Sequence, residues 1–171
     1  MVSFKERQGL FFRPRLKRLQ EMQAEIFRQL LLLIPERVSY YDSFQSRVAG
    51  SPLLRMDILE RHPYTHFLRL TYQFEENQQR EIAPDAHIRM YHDARLAEVT
   101  SFNPEQGFKR SSNPWYPQHQ LFQRIWRQNL ALDKWLGYLL HQGHSVTSMQ
   151  PAGDKISGKQ AIPVVEATTT Q

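Results

Sequence analysis

Leu16, Leu19, Met22, Ile26, Leu30 and Leu33 follow one another at spacings of three and four. On a 3.6-residue period that is a single apolar face, so the spacing predicts an amphipathic helix. Pro14 stands near its start and Pro35 stops it, because proline has no N–H to continue the ladder. The polar side carries Lys17, Arg18, Glu21, Glu25 and Arg28. A second stripe, Phe122, Ile125, Asn129, Leu132, Leu136 and Leu139, is flanked by Trp126, Trp135 and Leu140. It predicts another long helix, with Gly143 as its C-terminal stop. A basic amphipathic helix can also lie on a membrane, but the neutral chain that follows the first one favours core packing.

Between the helices the period changes from 3.6 to 2. Leu54, Met56 and Ile58 alternate with Arg55 and Asp57, and Leu68, Leu70, Tyr72 and Phe74 alternate with Phe67, Arg69, Thr71 and Gln73. Both stretches predict half-buried antiparallel strands, joined at His62-Pro63-Tyr64. Residues 37–49 are expected to add a less regular strand, and Glu75–Pro84 to form a polar loop.

The segment 87–101 predicts its own pairing. A hairpin centred on Asp93-Ala94, or on the four-residue loop His92–Arg95, sets Tyr91 opposite Leu96, Met90 opposite Ala97, Arg89 opposite Glu98 and Ile88 opposite Val99. The apolar pairs then share one face, and an Arg89/Glu98 ion pair falls on the other. A slip of one residue destroys this segregation, so the register is well specified.

The layout is α+β: an antiparallel sheet of four to five strands with two long amphipathic helices packed on one face. Residues 1–14 read as a flexible basic leader and 15–144 as one domain. Residues 145–171 read as a mostly disordered polar tail, in which Ala161–Val165 could dock. The length of 171 residues suits one domain, and the absence of cysteine removes disulfides, thiolate metal sites and cysteine nucleophiles. No apolar run is long enough for a membrane span or a signal-peptide core, so a cytoplasmic protein is expected.

The net charge of +5 invites a nucleic-acid reading, but its distribution qualifies that. Lys5, Arg7, Arg13, Arg15, Lys17 and Arg18 face only Glu6 in residues 1–18, and the rest of the chain balances its charges. An arm of this kind suits phosphates or an acidic protein surface.

Catalytic signals are thin. Neither phosphate-cradling glycine loops nor nucleophile-elbow or zinc-protease motifs occur. His62 and His66 straddle a proline turn and need not converge, His87 points outward with Arg89, and His92 sits at the hairpin loop; the histidines read as surface and turn residues. Asp57 and Glu98 are explained by ion pairing with Arg55 and Arg89. The expectation is no enzyme, no cofactor and no metal.

What remains is the sheet face that the helices leave open. It would show Arg55, Asp57, Phe67, Arg69, Arg89, Tyr91, Leu96 and Glu98. Arginine and tyrosine among apolar groups are the composition of interface centres, so Arg55, Arg69, Arg89, Tyr91 and Glu98 are the candidate partner contacts. The alternative is nucleic acid held by the basic arm and this face, although the signature sequences of RNA-stacking sheets are missing.

The hairpin Arg89-Met90-Tyr91-His92-Asp93-Ala94 with Leu96-Ala97-Glu98-Val99 resembles the YqiB-like family of bacterial proteins of unknown function. Asn129, Trp135-Leu136, Leu139-Leu140 and Gly143 in the last helix add to the likeness, as does the Leu-rich end of the first helix before Pro35. The resemblance spans roughly residues 16–144 and brings no catalytic residues with it. It implies a small cytoplasmic protein whose gene neighbourhood points to a cyclic-AMP phosphodiesterase as partner. The expected function is therefore a non-enzymatic interaction protein that modulates such an enzyme.

Overall fold

The computed structural model describes residues 4–76, 79–103 and 118–153. Helix α1 (Phe4–Leu31) leads through a 3-10 turn (Glu36–Ser39) into the strands β1 (Ser43–Ser46), β2 (Leu53–His62), β3 (Thr65–Glu76), β4 (Gln79–Tyr91) and β5 (Leu96–Phe102). Helix α2 (Gln118–His141) and strand β6 (Met149–Pro151) complete the order. The strands make one antiparallel sheet in the order β5-β4-β3-β2-β1-β6. The two helices pack against each other and against the sheet on one face, where Ile26, Leu30, Leu132, Leu136 and Leu139 meet Leu54, Met56, Leu68, Leu70, Ile88 and Met90. Each such side chain taken from water contributes about 1.5–3 kcal/mol.

The fold is α+β as expected, but the sheet has six strands rather than four or five. The sixth, β6, comes from the stretch read as polar tail. Its sequence Met-Gln-Pro is too short for a period to show, and it exists because β1 has a free edge. Gln45 pairs with Gln150, and Met149 drops into the core. Residues 1–3 of the leader, the connection 104–117 and the remaining tail 154–171, including Ala161–Val165, lie outside the described residues.

Three local expectations change. Pro14 lies inside α1 rather than near its start, since proline's fixed φ is helical and costs a hydrogen bond without ending the path. Leu16 is half exposed while Leu19 is buried, so the packed stripe begins one turn late; Phe27 widens it. The expected polar loop Glu75–Pro84 is instead the paired end of a long hairpin, with Glu76 opposite Gln79 and Gln73 opposite Ile82. Pro84 fits because it falls where the register shifts between Thr71 and Gln73, and a bulge asks no ladder N–H of it.

The 87–101 register is as expected: Tyr91 pairs Leu96, Met90 Ala97, Arg89 Glu98 and Ile88 Val99. The loop spans His92–Arg95, closed by Arg95 in the left-handed region at φ 52°. Pro63 and Tyr64 form the two-residue turn between β2 and β3.

Candidate protein-binding face

Period-two alternation sends Arg55, Asp57, Phe67, Arg69, Arg89, Tyr91, Leu96 and Glu98 to the face opposite the helices, on four adjacent strands. Glu60 joins them because the register shift between Ile58 and Glu60 turns it opposite Phe67. Both helices lie on the other side, and no described element covers this one.

The charged groups are held in place by one another. Arg55 Nε donates to both Asp57 carboxylate oxygens at 3.0 Å, two residues along the same strand. Arg69 forks onto Asp85, with Nε to Oδ1 at 2.8 Å and Nη2 to Oδ2 at 2.7 Å. This bidentate geometry is the strong form of the pair. Asp85 is fixed in turn by Asn103, whose Oδ1 accepts the Asp85 N–H at 2.8 Å and whose own N–H donates to the Asp85 carbonyl at 2.7 Å. The left-handed Asn103, at φ 47°, makes this double contact.

The expected Arg89/Glu98 ion pair is replaced by a longer chain. Tyr91 Oη donates to Glu98 Oε1 at 2.8 Å, and the Arg89 guanidinium lies over the Phe67 ring, 5.6 Å from its centroid. The Tyr91 hydroxyl holds the Arg89 pKa above its ordinary value, with Glu98 and Glu60 adding to the effect. Burial raises the Tyr91 phenol. The cause is reach: a guanidinium standing on a flat aromatic neighbour gains a cation–π contact and leaves the carboxylate to the diagonal tyrosine. The five candidate contacts are therefore together on one face, each oriented by a neighbour.

Two polar clusters escaped the sequence reading: the first takes His144 out of the surface and turn histidines, and the second pairs His66 with His92, which stays in the hairpin turn as expected. The first centres on His144, which is buried. Helix α2 ends in a Schellman motif: the Gly143 N–H bonds the Leu140 carbonyl and the His144 N–H that of Leu139, both at 3.1 Å, with Gly143 at φ 97°. The residue after such a glycine commonly folds back on the helix, which is the signal that could have flagged His144. Its Nδ1 lies 2.7 Å from Ser46 Oγ, and its Nε2 3.1 Å from Ser51 Oγ and 3.3 Å from Tyr72 Oη. Ser46 Oγ also meets Ser148 Oγ at 2.7 Å. Burial lowers the His144 pKa and raises that of Tyr72.

A serine hydroxyl against an imidazole is the contact of a nucleophile with its base, but Ser46 is wholly enclosed and His144 nearly so. No substrate reaches either. The network is a clasp that ties the end of α2 to β1, the β1–β2 connection and β3.

The second cluster joins His66 and His92, whose Nδ1 and Nε2 are 3.0 Å apart. Phe27 packs edge-on against His92 with ring centroids 6.0 Å apart. Burial, then the neighbouring His92 and Arg61, push the His66 pKa down to about 4; burial also lowers His92. His62 goes elsewhere, its Nε2 3.2 Å from Glu60 Oε2, so the two histidines that flank the turn have different partners. Among the described residues no three His, Asp or Glu side chains converge as a metal site needs, and no helix is long and apolar enough to cross a membrane.

An α+β chain with an open antiparallel face and an enclosed serine–histidine network is the class that this geometry defines. The chain belongs to the family described as protein of unknown function DUF1249, whose model matches residues 29–145. It is 31% identical over 132 residues to the uncharacterized protein YqiB of Escherichia coli strain K12, covering 76% of this chain and 89% of that protein. The YqiB proteins of Escherichia coli O6:H1 and O157:H7 match equally. No solved structure matches the chain.

Proposed function

We propose that this chain is a non-enzymatic protein-interaction module that docks another protein on its open sheet face. The observation that carries the proposal is the arrangement on that face: Arg55, Arg69, Arg89, Tyr91 and Glu98 stand together on strands whose other side is filled by the helices. Preorganised arginine and tyrosine lose little side-chain entropy on binding, which is what lets such residues dominate an interface.

The family resemblance makes a cytoplasmic cyclic-AMP phosphodiesterase the partner to try first. Modulation would follow from tighter binding to one state of that enzyme than to another, since a binder shifts an equilibrium only by its affinity difference.

The test is a titration of the purified full chain against the phosphodiesterase of the same cell, with cyclic-AMP turnover read in parallel. Arg89→Ala with Tyr91→Ala removes an exposed cation and a partly exposed aromatic of that face without touching the core. A loss of affinity of about tenfold or more is expected. Unchanged affinity in a folded variant removes the sheet face from the interface, and no binding at all removes this enzyme as the partner.

A further inference from the structure

The helical layer carries a second feature that the sheet face does not use. Between α1 and α2 lies a cleft of about 290 Å³ lined by Arg15, Arg18, Phe122, Gln123, Trp126 and Arg127. Phe122 and Trp126, one turn apart on α2, stack with their rings 26° from parallel and centroids 6.3 Å apart, and both are half-buried. The cleft thus has an aromatic wall with guanidinium groups around it.

Arg15, Arg18 and Arg127 are exposed and make no ion pair among the described residues. Among the described side chains farther along α1, Lys17 reaches Glu21 at 3.9 Å, and Arg28 Nε donates to Glu25 at 2.9 Å. Glu21, one turn beyond Arg18, is taken by Lys17, and the stretches that line the cleft hold no carboxylate. None occurs between Arg15 and Gln20 on α1, nor from Gln118 to Leu132 on α2. Three guanidinium groups gathered without a carboxylate repel one another, a cost that an anion with more than one negative oxygen relieves.

The volume narrows the ligand. It lies just below the usual range of about 300–1,000 Å³ for small-molecule sites, too small for a folded partner and sufficient for a base whose sugar and phosphate extend to the exposed arginines at the rim. An aromatic wall takes the flat face of a base, and arginines take phosphate oxygens in bidentate fashion. We propose that the α1–α2 cleft binds a nucleoside phosphate, with the base against Phe122 and Trp126 and the phosphate between Arg15, Arg18 and Arg127. Its source is either a free nucleotide or the phosphorylated end of a single strand.

The test uses the full chain and calorimetric titration, with tryptophan fluorescence as a second readout. The probes are ADP, a 5′-phosphorylated oligothymidylate, pyrophosphate and a short peptide rich in glutamate and tyrosine. The variants are Arg15→Ala with Arg18→Ala, Trp126→Leu, and, as a charge-matched control, Arg47→Ala, an exposed arginine just past β1 that belongs to neither candidate site. The arginines are exposed, so the first variant keeps the fold.

Binding of ADP that falls about tenfold or more in each cleft variant, and not in the control, supports the site with a free nucleotide as its ligand. Binding of the oligonucleotide without ADP, lost in the same variants, supports it with a strand end as the source. Pyrophosphate binding as tightly as ADP overturns the proposal, because the aromatic wall then contributes nothing. Preference for the acidic peptide, no binding of either nucleotide probe at about 1 mM, or binding indifferent to the cleft variants overturns it equally.

Discussion

Replacing His144 with phenylalanine isolates what the buried clasp contributes, and the structure fixes the protons involved. Ser148 Oγ donates to the Ser145 carbonyl at 3.0 Å, which uses its one proton. Ser46 Oγ must then donate to Ser148, 2.7 Å away, and can only accept from His144. Nδ1 therefore carries the imidazole proton, and Nε2 accepts from Tyr72 or Ser51. Phenylalanine keeps the ring and its packing against Tyr72, whose centroid lies 5.9 Å away, but removes both bonds. One buried acceptor site on Ser46 and one hydroxyl donor of the Ser51–Tyr72 pair lose their partner. Ser46 is fully enclosed whereas Ser51 is half-exposed and can turn to water, so the loss sits at the Ser46 end. A cost of about 2 kcal/mol is expected, or about 4–8 °C in Tm for a chain of this size. Urea denaturation of His144→Phe, Ser46→Ala and the double variant measures it, with a coupling of about 1 kcal/mol between the two sites. Nitrogen chemical shifts of the ring read the tautomer. The sign with pH also follows. Burial lowers the His144 pKa, so the unfolded chain takes up the proton first as pH falls below the ordinary 6.5. Stability is then lost with acid, and the phenylalanine variant lacks that share of the loss. A variant within about 0.5 kcal/mol of the parent with no coupling, or an Nε2–H tautomer, would falsify the reasoning.

Asp85→Asn weakens the fork with Arg69, whose aspartate is mostly enclosed and whose arginine is one-third exposed. A cost of about 1–2 kcal/mol in urea denaturation is expected, and a neutral result would show that solvent already screens the pair. Asn129→Leu strands the Val99 N–H of edge strand β5, now received by Asn129 Oδ1 at 3.3 Å in a fully buried site. The variant should lose about 1–3 kcal/mol, with faster hydrogen exchange at Val99; protection equal to the parent's excludes that bond as its source. His66 titrates near 4 when folded and near 6.5 when unfolded, so its share of stability is present above pH 6.5 and is lost as pH falls toward 4. Full burial would make that share about 3 kcal/mol, and partial exposure reduces it to about 1. In His66→Gln the stability difference between pH 7 and pH 4 should shrink by that amount, and an unchanged difference assigns the acid loss to other groups.

The features most legible in the sequence were those whose physics is periodic. Ile88, Met90, Ala97 and Val99 fix the β4–β5 register because a one-residue slip would turn the apolar pair of the slipped strand out of the core. The stripe from Asn129 to Leu139 fixes the buried face of α2 in the same way. Glu75–Pro84 was illegible because its polar residues resemble a loop and Pro84 argues against a strand. Only a bulge reconciles proline with the ladder, and a bulge has no period. Strand β6 was illegible for another reason: three residues pair because β1 offers an edge, a fact about the sheet and not about Met149-Gln150-Pro151. Asp85 was hidden beside that supposed loop, and Arg69 therefore had no visible partner. His144 could have been found from its place directly after the helix-ending Gly143. The His66–His92 pair joins residues from two hairpins whose ends meet only once β3 and β4 are in register.

The charge pattern separates two readings that the sequence left joined. On the sheet face Arg55, Arg69 and Arg89 stand among Asp57, Asp85, Glu98 and Glu60, and the first two arginines are already paired. A phosphate backbone arriving there would have to displace carboxylates fixed 2.7–3.0 Å from their guanidinium partners. It would gain no net cation, whereas nucleic-acid affinity comes mainly from neutralised phosphates and the counterions they release. A protein surface asks for the opposite: fixed charges of both signs, an aromatic platform at Phe67 and Tyr91, and little net field, so that register and not attraction selects the partner. The cleft between the helices inverts each of these properties, with Arg15, Arg18 and Arg127 unpaired among the described residues and aromatic rings beside them. Salt should therefore act on the two faces differently. Raising ionic strength from about 50 to about 200 mM should cut affinity steeply for an anion in the cleft, and only slightly for a protein on the sheet. A steep salt slope abolished by Arg89→Ala instead of Arg15→Ala with Arg18→Ala would reverse the assignment of the two faces.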